Sequence, residues 1–150
     1  MVKLLLGKAG SGKTKKMIRM ANKDILNSKG EIVFIDSDNR HMHELHRNIR
    51  LIPSNEFNLD NIDSFYGFLC GMVGENYDIE KIYVDGIKDI IPDCSSNFKP
   101  CFEKLKSFSS KFGIKLLISA SSDLESELSD FEKYTIMESD SFLEQEKMLV

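Results

Sequence analysis

The sequence predicts an α/β fold of three layers, with a mostly parallel central sheet covered on both faces by helices. Three observations carry that expectation. Short apolar runs recur at 2–6, 32–36, 82–85 and 115–119. Amphipathic helical periodicity fills the intervals between them, so helix follows strand repeatedly. The run at 32–36 is β-branched and lacks polar alternation, as a strand buried on both faces should. No internal repeat, low-complexity stretch or Gly/Ser linker divides the chain, so residues 1–150 read as one domain.

The elements follow in order. After the first strand, a helix over 12–28 carries Met17, Ile18, Ala21, Ile25 and Leu26 at helical spacing, with Gly30 as its stop. Residues 39–48 read as a short polar helix, and 50–52, before Pro53, as a short strand. Ile62, Phe65, Tyr66, Leu69 and Val73 share one helical face, with Asp60 or Asn61 as N-cap. Phe102, Leu105, Phe108 and Phe112 mark a helix that starts at Pro100. Residues 123–131 read as helix, 134–137 as a last strand, and 138–150 as a loose acidic tail.

Composition narrows the functional classes. A hydrophobic fraction of 41% and a charged fraction of 29% suit an ordinary globular domain. The net charge of −4 argues against a generic nucleic-acid or anionic-membrane binder. No apolar run approaches a membrane span, and the glycine-rich segment at Gly7 starts too early to leave room for a signal peptide. Cys70, Cys94 and Cys101 are odd in number and form no Cys-x-x-Cys pair. They predict structural thiols, a reducing cytoplasmic setting and no zinc site.

The most specific signal is Gly7-Lys8-Ala9-Gly10-Ser11-Gly12-Lys13-Thr14, between the first strand and the first helix. It matches the P-loop pattern Gly-x-x-x-x-Gly-Lys-Ser/Thr at every fixed position. Glycines let successive backbone N–H groups converge on phosphate oxygens, and the helix start faces the anion. Lys13 is expected to reach the β- and γ-phosphates, and the Thr14 hydroxyl to bind Mg²⁺. ATP is favoured over GTP, because no Asn-Lys-x-Asp motif is present.

Hydrolysis needs an acidic group to manage the metal and the attacking water. Lys81-Ile82-Tyr83-Val84-Asp85 is an apolar strand ending in aspartate, which places Asp85 in the ligand crevice as the second metal residue. A glutamate often follows that aspartate in P-loop ATPases; here Gly86 does. The nearest other carboxylates lie in Phe34-Ile35-Asp36-Ser37-Asp38-Asn39.

That segment resembles the RecA-type ATPase core, in which Phe-Ile-Asp-x-Glu after the first helix carries the catalytic carboxylate. The glutamate's place falls on Asp38, one methylene shorter. Val84-Asp85-Gly86-Ile87 resembles the Walker B strand of that family. Leu117-Ile118-Ser119-Ala120-Ser121 resembles the next strand, whose polar end senses the γ-phosphate, through Ser119 or Ser121 here. The chain is also similar to small single-domain ATP-binding proteins of low-GC bacteria. These resemblances imply a RecA-like P-loop fold over 2–122 and a weak Mg-dependent ATPase, or a nucleotide switch. Asp38 and Lys13 would be its catalytic residues. The long DNA-contacting loops of the family have no counterpart, so strand exchange is not expected. A turn or capping role for Asp38, beside Asn39, competes with the catalytic one.

A nucleoside or nucleotide kinase of the thymidine kinase type is an alternative. Against it, Asp85 is not followed by glutamate, a cysteine-bound zinc module is missing, and residues 120–150 contain no arginine for a lid. An inert, nucleotide-dependent interaction module is a third reading. Lys8 matches the signature lysine of the MinD/ParA group at one position, against a plain solvent-facing role. His41, His43 and His46 with Glu44 could hold a transition metal, though their spacing matches no zinc pattern. Arg19, Arg40, Arg47 and Arg50 are the only arginines, and any could act as a finger across a homo-oligomer or partner interface, Arg40 most suggestively.

Overall fold

The computed structural model describes residues 1–122 and 125–135. Five strands form one sheet: β1 (Val2–Gly7), β2 (Glu31–Asp36), β3 (Ile49–Pro53), β4 (Ile79–Val84) and β5 (Lys115–Ser121). Their order across the sheet is β1-β5-β4-β2-β3, and every neighbouring pair is parallel. The sheet is flanked by α1 (Lys13–Asp24) on one face and by α2 (Ile62–Glu75) and α5 (Phe98–Phe112) on the other. Two short helices, α3 (Ile87–Ile90) and α4 (Asp93–Ser96), follow β4, and α6 (Glu125–Asp130) follows β5.

The strand sequences explain the layers. Leu4, Val33, Ile35, Ile82, Val84, Leu116 and Ile118 pack towards α2 and α5. Their chain neighbours Leu5, Ile32, Phe34, Tyr83 and Leu117 pack towards α1. Side chains alternate across a strand, so a sheet buried on both faces requires apolar residues at consecutive positions. That requirement is why these strands read as unbroken apolar runs. On α1, Met17, Ile18, Met20 and Ala21 are buried against the sheet.

Topology creates the crevice. The chain leaves β1 for one face through α1 and leaves β4 for the other through α3. The end of β5 lies between these diverging loops, where ligands enter parallel α/β sheets. Register brings Gly7 opposite Ser121 and Val84 opposite Ile118, so the carboxyl ends of β1, β5 and β4 align.

Several local expectations change. The expected polar helix over 39–48 is a single 3₁₀ turn, Met42–Glu44. The Asn22 side chain donates to the Glu44 carbonyl and accepts from the His46 N–H, so α1 holds this segment in place of helical hydrogen bonds. The first helix ends at Asp24, and Gly30 serves a close backbone approach, since a Cβ there would collide with the Asp78 carbonyl. Asn61 is the N-cap of α2, its Oδ1 accepting from Ser64 N–H at 2.8 Å. α5 starts at Phe98, two residues before Pro100.

Of the strand expected over 134–137, Tyr134 instead ends a 3₁₀ turn, Glu132–Tyr134, and Thr135 makes an isolated parallel bridge to Leu4. The rest of that expected strand and the 138–150 tail lie outside the described residues. Cys94 and Cys101 are joined in a disulfide, correcting the expectation of thiols. The break at Asn97 between α4 and α5 brings their Cα atoms to 5.9 Å, and it removes the thiol-based ground for a reducing compartment. Cys70 is free. Among the described residues, no helix is long and apolar enough to cross a membrane.

Candidate functional site

The segment from Gly7 to Thr14 is a tight loop between β1 and α1. Gly10 (φ 78°) and Gly12 (φ 87°) lie in the left-handed region, where a side chain would strain the backbone. The Ser11 N–H donates to the Lys8 carbonyl at 3.2 Å and closes the turn. Lys13 Nζ curls over the loop, donating to the Gly7 carbonyl at 3.2 Å and the Lys8 carbonyl at 2.8 Å. Lys8 itself is exposed, as are Ala9, Gly10 and Ser11.

A hydrogen-bonded chain crosses the strand ends beside this loop. Thr14 Oγ1 donates to Asp85 Oδ2 at 2.9 Å, and Ser119 Oγ donates to Asp85 Oδ1 at 2.7 Å. The Gly86 N–H donates in turn to Ser119 Oγ at 2.7 Å. Asp85 is buried, and both of its oxygens are held. Sequence reasoning named Thr14, Asp85 and Ser119; the structure brings all three into contact. Ser121 lines the same cavity, from an exposed position at the end of β5.

The carboxylates at the end of β2 divide sharply. Asp38 turns outward: Arg40 Nε donates to both of its oxygens at 3.1 Å, and Arg40 Nη2 to Oδ2 at 2.9 Å. The Arg40 N–H donates to Asp38 Oδ1 at 3.0 Å, an Asx turn. Hydrogen bonds from Arg40 hold the Asp38 carboxyl below its ordinary pKa. Asp38 is not among the residues lining the cavity; Asp36 is.

Asp36 is only 6% exposed, and its Oδ1 accepts from the Ser37 N–H at 2.7 Å. Its Oδ2 is buried without a hydrogen-bond partner among the described residues. Burial, reinforced by the nearby Asp85 charge, pushes its pKa up to about 6. Sequence reasoning passed over this residue. The signal was available: Asp36 is the final residue of its strand, and a strand's last side chain can face the crevice, whereas Asp38-Asn39-Arg40 has turn composition.

These groups surround a cavity of about 560 Å³ with the loop as one wall and Asp36, Asp85 and Ser119 opposite. Thr14 and Asp85 offer hard oxygen donors. That set suits Mg²⁺, which takes one or two carboxylates and leaves its other positions to water and phosphate. No protein-family model matches the sequence, and no match is found among curated proteins.

The remaining candidates scatter. Arg40 and His41 line the cavity; His41 Nδ1 pairs with Glu44 Oε2. His46 Nδ1 accepts from the Asn48 N–H, and among the described residues no three metal-ligating side chains converge. Arg19 lines a separate cavity on the far side of the loop, and Arg47 and Arg50 are exposed.

Proposed function

We propose that this protein binds ATP with Mg²⁺ in the Gly7–Thr14 loop of a RecA-like P-loop domain and slowly transfers the γ-phosphoryl group. The chain Thr14–Asp85–Ser119 beside that loop carries the reading, since it links the helix start, a buried carboxylate and a polar strand end at one place. Thr14 and Asp85 would hold Mg²⁺, which would neutralise charge on the phosphates. Lys13 leaves its carbonyl partners for the β- and γ-phosphates. Asp36, with an open oxygen and a raised pKa, orients the attacking oxygen and accepts its proton.

Calorimetric titration with Mg-ATP, followed by phosphate release, tests the proposal. Binding is expected for the natural chain and is lost in Lys13→Ala. Asp36→Asn retains binding and loses turnover. Full ATP affinity in Lys13→Ala would overturn the nucleotide reading. Tight binding without any turnover would leave a nucleotide switch.

A further inference from the structure

A second cavity of about 220 Å³ lies over the ends of β2 and β3. It shares a wall with the first, because Ser37 and Asp89 line both. The rest of its polar lining is Ser54, Asn55, Asn58 and Asp60. Ser54 is 5% exposed, and its hydroxyl makes no hydrogen bond among the described residues. The Asn55 N–H is fixed on the Ser37 carbonyl at 3.1 Å, which ties the 54–56 turn to the end of β2. Asn58 holds φ 52°, the left-handed conformation, in a position facing this lining. On the other side of the shared wall stands Asp36 with its unpartnered, buried Oδ2.

Asp36 Oδ2, buried and without a partner among the described residues, points to a ligand atom in the first cavity, while the unpaired Ser54 hydroxyl offers a contact in the second. The charge of the lining selects that ligand. Among the described residues, no lysine, arginine or histidine lines the second cavity, while Asp60 and Asp89 do. Arg40, one of the cations lining the first cavity, has its guanidinium on Asp38. An anionic acceptor would meet two carboxylates and no counter-charge. Hydroxyls, amides and carboxylates instead match a molecule rich in O–H and N–H donors.

We infer that the second cavity is the subsite of a neutral or cationic polyhydroxyl acceptor, a nucleoside or an amino sugar, phosphorylated from ATP bound at the neighbouring loop. The inference rests on the Mg-ATP reading of that loop. In the step, an acceptor hydroxyl oxygen bonds to the γ-phosphorus while the bond from that phosphorus to the β–γ bridging oxygen breaks. The electron pair leaves with ADP, and the hydroxyl proton passes to Asp36 Oδ2. Water attacking the same phosphorus is the slow side reaction.

The test mixes the full chain and Mg-ATP with thymidine, glucosamine or thymidine monophosphate, and measures ADP, free phosphate and phosphorylated product by ³¹P NMR. Thymidine or glucosamine is expected to raise ADP formation above free phosphate at least about tenfold, with a matching phosphorylated product, while thymidine monophosphate does not. Saturation-transfer NMR should show the same acceptor bound in the presence of ADP. Asn58→Gly removes the amide and keeps the left-handed backbone, so it should raise the acceptor KM about tenfold. Ser54→Val, its fold checked by circular dichroism, should weaken acceptor binding similarly. ATP binding with free phosphate equal to ADP, or no turnover, for all three compounds overturns the acceptor subsite and leaves the nucleotide reading standing. So does phosphorylation of the monophosphate in preference to the others. Failure to bind ATP overturns both.

Discussion

Asp85 and Asp36 stand just past and at the ends of adjacent strands, β4 and β2, in the same cavity, and their surroundings differ completely. Asp85 has Thr14 on one oxygen and Ser119 on the other. Asp36 has a single backbone partner and an oxygen with none. Burial with few donors favours the neutral form of a carboxylate, as at Asp36. Under the proposed function, these surroundings suit Asp85 to hold a cation and Asp36, whose pKa burial raises to about 6, to take a proton. The distinction comes from what the neighbouring strands present.

The largest effect should follow from removing the held carboxylate's charge. Asp85→Asn is expected to lower Mg-dependent ATP affinity at least about tenfold, measured by calorimetry with and without Mg²⁺. An unchanged ratio would break the assignment of Asp85 as metal residue. Asp36→Asn should act in the opposite sense on the unliganded fold. A folded-state pKa raised from 3.8 to about 6 means that this group's contribution to stability is fully present below about pH 4 and is lost as pH rises through 6. The amide cannot ionise, so the variant should gain about 3 kcal/mol at pH 7.5 and almost nothing at pH 4, read by urea denaturation. An equal gain at both pH values would remove the burial account of Asp36.

Ser119→Ala leaves Asp85 Oδ1 and the Gly86 N–H without their shared partner, and should cost about 1–3 kcal/mol in the same denaturation experiment. A neutral result would mean that the hydroxyl is not what holds Asp85. Asp38→Asn should be the mildest change, altering turnover by less than about twofold, because Asp38 faces Arg40 rather than the cavity. A large loss of turnover there would move the proton-accepting role back to the residue that the RecA resemblance picks out.

The parts of this molecule that could be read in advance are those where one physical requirement dominates. A strand buried on both faces must be apolar throughout, so β1, β2, β4 and β5 announce themselves. The loop must have glycine at φ 78° and 87°, so Gly10 and Gly12 do as well. What could not be read depends on partners distant in sequence. Residues 39–48 lost their helix to the Asn22 side chain, from another element. Cys94 and Cys101 meet because a helix break at Asn97 folds them together, which spacing alone does not encode. The RecA resemblance picks out Asp38 by position alone, and position does not show that Arg40, two residues on, holds Asp38 while Asp36 lines the cavity.

The strand bearing the loop, β1, lies at the border of the sheet, with β5 on one side and the single Thr135 bridge on the other. Among the described residues, that bridge at Leu4 is the one pairing on its outer side. A segment laid along that border would grip the backbone running straight into Gly7, and its tension would pass to the loop without touching a side chain in the cavity. If the loop grips phosphate, as proposed, a strain on the border of β1 would reach that grip from outside the cavity.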